Sequence, residues 1–267
     1  MHSFSWVLRR AVVVCFALAT MGVGTVASAQ PAGTIYQTTL MEPGQKTPEE
    51  LQKILADKSA VVLDTRPFLE YAMSHVPGAL NVAAKPGVSM SMYISDVAEI
   101  GRLGGGDKAK PLILYCNGPF CGKSKRLSDE LLAAGYTGVR RYQLGIPVWR
   151  ALVGLTEIEL EGVVHVFKND RTAVFLDARS PEEFQASSVQ GARNIPSGGV
   201  QPGKDVGEVR TAKDDGRLPM EDHNTRIIVF GRDGDQARAV AAAIAREAFH
   251  NVAYFPGTYD ALVSALK

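Results

Sequence analysis

Two cysteines stand five positions apart in "LYCNGPFCGKSKR", residues Leu114 to Arg126. An apolar run precedes this stretch and a basic, helix-like run follows it. A loop between a strand end and a helix start can aim successive backbone N–H groups at one point. Those groups and the helix dipole favour an anion, and the same geometry lowers a thiol pKa. Lys123, Lys125 and Arg126 add positive potential, and the Ser124 hydroxyl can donate a hydrogen bond. Gly118 and Gly122 permit backbone conformations that other residues resist. The residues thus describe an activated thiolate at Cys116 in a cradle for an oxyanion or a sulfur anion. Cys121 has three readings: a resolving thiol in a reversible pair, a second relay thiol, or a fixed bridge. A curled loop can bring the two Cα atoms within the roughly 4.4–6.8 Å that a disulfide needs. The spacing is not C-x2-C and no histidine is near, so no metal is expected.

The flanking sequence supplies the elements that must hold this loop. "TPEE", Thr47 to Glu50, is a capping-box pattern with proline at the first helical position, opening a helix to about Asp57. "AVVLD" is a short buried strand ending at Asp64, "PFLEYAMS" a helical turn or two, and "PLILYC" the strand leading into the cysteines. "KSKRLSDELLAAGY" is an amphipathic helix, with Leu127, Leu131 and Leu132 on one face and Gly135 as its stop. "GVRRY" is a further strand and "IPVWRALV" a closing helix. Alternating short apolar strands and helices indicate an α/β fold with a mainly parallel sheet. In such sheets ligands sit beyond the carboxyl ends of the strands, where the cysteine loop lies.

The layout occurs twice. "VVLDTRPFLEYAMSHVPGALNV" (Val61 to Val82) matches "AVFLDARSPEEFQASSVQGARNI" (Ala173 to Ile195). Asp64 pairs with Asp177, Arg66 with Arg179, Glu70 with Glu183 and Asn81 with Asn194, each at an offset of 113. A repeat of this length is a domain duplication, not a solenoid. "RIIVF", "DQARAVAAAIAREAF", "NVAYF" and "TYDALVSALK" complete the second copy. The expected domains are 34–153 and 154–267. The glycine-, aspartate- and lysine-rich stretch from Ser197 to Asn224 reads as a solvated loop. At the nucleophile position Cys116 faces Gly231, an offset of 115, whereas Val139 and Val252 return to 113. The first half therefore has two more residues between nucleophile position and following strand. Asp64 and Arg66 persist in the half without a nucleophile, which points to a structural role, an ion pair or a loop brace, over direct catalysis. His75, Trp149 and Tyr259 also read as structural, and Lys125 and Arg126 as a solvated helix face.

Composition bounds the class. Of 267 residues, 46% are apolar and 21% charged, a mix that can bury a core. Arg9 and Arg10, the apolar run Ala11 to Ala19, and Ala27 and Ala29 at an A-x-A site describe a signal peptide, residues 1–29, cut before Gln30. Cleavage removes two arginines and no acid, leaving 27 basic against 28 acidic side chains. Nothing in that balance calls for nucleic acid or an anionic membrane, and no stable membrane insertion is expected after cleavage. Cleavage also removes Cys15, leaving Cys116 and Cys121. The expected location is periplasmic or secreted, where a disulfide can persist.

The "LDTRPFLEYAMSHVPGALN" block, followed by a strand, a "YC" loop and a helix, resembles the rhodanese family of sulfurtransferases. The resemblance covers nearly the whole chain after the signal segment, because both halves carry it. It implies two tandem rhodanese-like domains, each a mainly parallel central sheet flanked by helices. It implies a nucleophile, here Cys116, that takes sulfane sulfur from a donor such as thiosulfate. The resulting persulfide then passes its outer sulfur to a thiol or cyanide, with no cofactor and no protein partner that the sequence can name. Asn117, Gly118, Phe120, Gly122, Lys123 and Ser124 would bind the substrate, a small sulfur-containing anion; the resemblance assigns no role to Cys121, for which a resolving thiol stays one of the three readings. Two features depart from the family pattern: the longer first loop, with Lys123 seven positions after the cysteine, and Gly231 in the second. Longer loops resemble those of phosphatases and arsenate reductases, but the loop lacks their closing arginine, and a lysine cannot clamp phosphate bidentately. A thiol–disulfide redox or sensing protein, and a non-catalytic binding module on the same fold, are the alternative functions.

Overall fold

The structure, a computed structural model, describes residues 46–83, 87–92 and 96–267. The signal-peptide reading falls on residues outside these. No described helix is long and apolar enough to cross a membrane.

Thr47 caps the first helix, α1 (Pro48–Asp57), through the reciprocal bonds with Glu50 that the sequence pattern implies. The chain continues through β1 (Val61–Asp64), α2 (Phe68–Met73), β2 (Leu80–Asn81), α3 (Val97–Leu103), β3 (Leu112–Tyr115), α4 (Gly122–Ala133), β4 (Val139–Tyr142) and α5 (Gly145–Leu152). The second half runs β5 (Leu155–Glu157), α6 (Leu160–Asn169), β6 (Val174–Asp177), α7 (Pro181–Ala186), β7 (Arg193–Asn194), a 3-10 turn (Ser197–Gly199), α8 (Gly207–Asp214), β8 (Ile227–Phe230), α9 (Gly234–Ala245), β9 (Val252–Tyr254) and α10 (Tyr259–Leu266). Among the described residues the strands form two all-parallel sheets, ordered β2-β1-β3-β4 and β5-β9-β8-β6-β7. The protein is α/β, two tandem domains with parallel sheets flanked by helices.

Both faces of each sheet are covered, as continuous apolar strands require. In β3, Ile113 and Tyr115 pack with Leu51 of α1 and Trp149 of α5, whereas Leu112 and Leu114 pack with Ile100 of α3 and Leu127 and Leu131 of α4. Burying each leucine contributes about 1.5–3 kcal/mol. Leu132 does not belong to this stripe. It is 51% exposed, because one residue beyond Leu131 turns about 100° around the helix.

The stretch Ser197–Asn224 is not a plain solvated loop. It holds the 3-10 turn and α8, and Val209, Ala212 and Leu218 enter the second core. Val209 and Ala212, three apart on α8, and Leu218 just beyond it fix that segment among charged neighbours. Tyr259 is only half-buried, with the Arg179 guanidinium carbon 3.3 Å from its ring centroid, so it covers an ion pair more than it fills a core.

That ion pair occurs in both halves at the carboxyl end of the first long strand. Arg66 Nε and Nη2 donate to Asp64 at 3.0 and 2.5 Å, and Arg66 Nη2 donates to the Ser74 carbonyl at 2.7 Å. Arg179 repeats each bond with Asp177 and the Ser187 carbonyl. Both pairs are buried. Burial works against the Arg66 charge, but Asp64 more than compensates and holds the guanidinium above its ordinary pKa.

The halves are joined through the segment after α2. His75 and Glu157 exchange both backbone bonds at 2.9 Å, an antiparallel bridge between the domains. Glu159 N–H donates to Ala72 O at 2.8 Å, and Tyr71 Oη donates to Glu159 Oε1 at 3.0 Å. A Cβ on Gly162 would overlap the Ala72 carbonyl, so only glycine lets α6 lie this close to α2. His75 is buried, stacks on Tyr71 at 3.9 Å, and sets Nδ1 3.0 Å from Tyr71 O. Its Nε2 lies 3.9 and 3.8 Å from Glu157 and Glu159. Burial lowers the His75 pKa below 6.5, although Glu157, Glu159 and Asp64 pull it upward.

Two outcomes are expected. Arg66→Leu leaves Asp64 buried without its partner and should cost about 3–5 kcal/mol in a denaturant titration; a loss under about 1 kcal/mol would show that the pair does not hold the edge. As pH falls below 6.5, unfolded His75 takes up a proton that folded His75 resists, so stability drops until the lowered native pKa is reached. The slope from this group is at most about 1.4 kcal/mol per pH unit. His75→Gln should flatten the pH 7.5-to-5.5 difference in unfolding midpoint; an unchanged difference would remove His75 as its source.

Candidate active site

β3 delivers Cys116 to the carboxyl edge of the first sheet. The edge is fixed just before it: Thr65 donates its N–H and its hydroxyl to Tyr115 O, at 3.0 and 2.9 Å. Cys116 is 1% exposed. Its carbonyl accepts from Ile146 N–H at 3.0 Å, so the start of α5 forms the wall of the loop. That approach needs glycine at 145. Gly145 has φ +67°, and a Cβ there would overlap Cys116 O and Gly118 N.

Cys116 and Cys121 are joined by a disulfide, with Cα atoms 6.4 Å apart. Gly118 makes the turn between them at φ +119°, and its carbonyl accepts from Cys121 N–H at 3.1 Å. Cys121 is half-buried and is the N-cap residue of the 12-residue α4, with no side chain capping the helix. The first turn therefore keeps N–H groups that have no acceptor within the helix, and the positive end of the dipole faces the sulfurs.

The other expected cradle residues divide. Ser124 is buried, and its Oγ lies 3.4 Å from Nε and from Nη2 of Arg141, whose guanidinium is itself buried beneath the helix start. Lys123 is half-buried at the second helical position. Asn117 is exposed and turned aside, donating from Nδ2 to Glu70 Oε2 at 2.6 Å. Phe120 is 91% exposed and lines nothing. Gly122 has neither positive φ nor a neighbour that a Cβ would meet, so its backbone places no demand for glycine. The conformational reading of Gly118 and Gly122 thus applies to Gly118 alone. Arg141 was not among the expected residues. In sequence it is one of two adjacent arginines in "GVRRY", and only strand alternation places it inward, with Arg140 outward.

The second half shows what the same frame does without a thiol. Three residues, Gly231 to Asp233, separate β8 from α9, against six, Cys116 to Cys121, between β3 and α4. The helix-to-strand connection that follows is one residue longer in the second half, 246–251 against 134–138. The net difference of two agrees with the sequence offset, and the structure places the lengthening between nucleophile and helix. Asp233 caps α9 by accepting from Gln236 N–H at 2.9 Å, and Gln236 Oε1 accepts from Arg232 N–H at 2.8 Å. A Cβ on Gly231 would stand 2.9 Å from Gln236 Oε1. The chain's own polar atoms occupy that loop. Arg232 bonds Glu183 as Asn117 bonds Glu70, so each half tethers its loop to the helix after the first long strand.

Among the described residues, His75, Glu157 and Glu159 bring ligand-type atoms within 4.8 Å of one another at the domain junction. Beside them a cavity of about 510 Å³ is lined by Leu55, Trp149, Glu157, Arg238 and Tyr254 among others, and the cysteine loop does not line it.

The rhodanese-like domain family matches residues 47–152 and again 164–265. Solved structures similar to the chain include the rhodanese-like domain of Alr3790 from Anabaena sp., 24% identical, covering 45% of this chain and 83% of that one, TM-score 0.35. BH2092 from Bacillus halodurans is 23% identical over 47% of this chain and 85% of its own, TM-score 0.35. A thiosulfate sulfurtransferase from Pseudomonas aeruginosa is 21% identical over 83% of this chain, TM-score 0.33, and this chain spans 44% of that enzyme. No curated protein matches. The duplicated block, the two parallel sheets and the two matched segments agree: the chain belongs to the rhodanese-like domain family, with two such domains in tandem.

Proposed function

We propose that the protein is an exported sulfurtransferase that moves sulfane sulfur from a donor such as thiosulfate to a thiol or cyanide through a persulfide on Cys116. The observation that carries this reading is the place of Cys116: a strand-end thiol beside an uncapped helix start, with Arg141 buried behind it. The helix dipole and the first-turn N–H groups, which no side chain caps, favour the thiolate, the anionic donor and the persulfide. Lys123 and the Ser124 hydroxyl stand on the same turn. The chemistry is covalent catalysis on sulfur and requires no cofactor. Export rests on the signal-type N-terminus, with cleavage before Gln30, and gives the periplasm or the exterior as location. In the second half Gly231 carries no thiol, and Asp233 and Gln236 fill the anion position, so that domain is assigned a structural or regulatory role.

The disulfide favours a second reading, thiol–disulfide exchange or sensing by Cys116 and Cys121. Unchanged behaviour of a Cys121→Ala strain under oxidative and reductive challenge would remove it.

Reduced protein should form thiocyanate from thiosulfate and cyanide, and Cys116→Ser should bring the rate to background. A serine protein with full activity would overturn the reading. Gly231→Cys should not rescue Cys116→Ser, because Gln236 stands where the thiol must go, and overpacking there should cost about 1–3 kcal/mol in a thermal melt. Restored turnover would show that the second loop is a working cradle.

A further inference from the structure

We propose that Cys121 clears the Cys116 persulfide, releasing the transferred sulfur as hydrosulfide and leaving the Cys116–Cys121 disulfide as the product state. This rests on the sulfurtransferase reading and gives its persulfide an internal exit beside transfer to an external thiol or cyanide: the sulfur leaves as hydrosulfide, and an external dithiol resets the protein.

Three observations lead there. First, the disulfide places Cys121 Sγ on Cys116 Sγ, with Cys116 directly after β3 and Cys121 directly before α4. Second, the residues that make this reach possible are the added ones. The second half goes from strand to helix in three residues and has no cysteine, whereas the first takes six and ends on Cys121. Third, Cys121 is the N-cap of α4, and no side chain competes for the cap. A thiol at that place is drawn toward its thiolate, the form that attacks sulfur.

The steps balance. Cys116 thiolate attacks the outer sulfur of thiosulfate; the S–S bond of thiosulfate breaks and sulfite leaves with its electron pair. Cys116 now carries –S–SH. Cys121 thiolate attacks Cys116 Sγ; the Cys116–Cys121 bond forms, the bond to the outer sulfur breaks, and HS⁻ leaves. Hydrosulfide is more acidic in its conjugate form than an alkyl thiol, so it is the better leaving group. The protein has lost two electrons to the sulfane sulfur, and a dithiol returns them by exchange. Cys116 is 1% exposed and Cys121 half-buried, so the dithiol attacks Cys121 and frees Cys116 as thiolate, ready for the next donor. The net reaction converts thiosulfate and a dithiol to sulfite, hydrosulfide, a proton and a disulfide.

A single-turnover experiment tests this on the full mature chain. Protein reduced with a dithiol and freed of it is mixed with thiosulfate without cyanide or other acceptor. Sulfite, sulfide and intact mass are then followed. The wild type should yield one sulfite and one sulfide per chain and end about 2 Da below the reduced mass, whereas Cys121→Ser should yield sulfite without sulfide and gain about 32 Da on Cys116. A wild type that keeps the added sulfur and releases no sulfide overturns the proposal and leaves the sulfurtransferase reading intact. Sulfide release by Cys121→Ser equal to wild type also overturns it. If neither protein forms sulfite or gains mass, the sulfurtransferase reading itself fails, and the proposal with it.

Discussion

An arginine and an aspartate buried two residues apart set the frame of each half. Removing both charges from water is expensive, and the cost is met only if every polar atom finds a partner. Asp64 and Arg66 do so by drawing in neighbours from several elements. Arg66 reaches the Ser74 carbonyl at the end of α2, and Asn81 Nδ2 donates to the carbonyls of Asp64 and Arg66. Thr65, between them, holds Tyr115 O, one residue before Cys116. The pair therefore fixes the carboxyl edge of the sheet, and the edge fixes where the sulfur stands. Asp177, Arg179 and Asn194 repeat the arrangement where no sulfur is present, which separates the frame from the chemistry mounted on it.

On equal frames the two loops reach opposite electrostatic ends. In the second half a carboxylate belonging to the chain caps the helix, and a glutamine amide fills the remaining space. In the first half the corresponding cap position is a cysteine, so the helix start offers its field to sulfur or to whatever anion arrives. A short loop closed on itself is a stable support. A longer loop closed by a bond that thiols can open is a reactive one.

The frame was legible in the sequence because its signals are local or repeated. The capping box at Thr47, the strand ending at Asp64 and the constant offset between halves each depend on nearby residues or on the duplication itself. The offset at Gly231 also revealed the longer first loop. What the sequence did not disclose depends on contacts across the fold. Arg141 looks like any strand arginine until β4 is paired to β3. Asn117 reads as a loop donor until Glu70 is seen beside it. Phe120 and Gly122 carry family roles by position, yet one points to solvent and the other needs no special backbone. α8 was obscured by charged neighbours, since only Val209 and Ala212 face inward from it.

The crossing between domains at Gly154 has a consequence for the integrity of the molecule. Among the described residues the chain passes there once, yet His75, Ala72 and Tyr71 of one half bond the Glu157–Glu159 stretch of the other, and Gly162 lets the helices close over them. A proteolytic nick in that connection would break the covalent chain without opening this seam. The two pieces would persist as a heterodimer, held by backbone pairing and packed helices. Either piece made alone would expose the backbone groups of this bridge and the contact that Gly162 makes with Ala72.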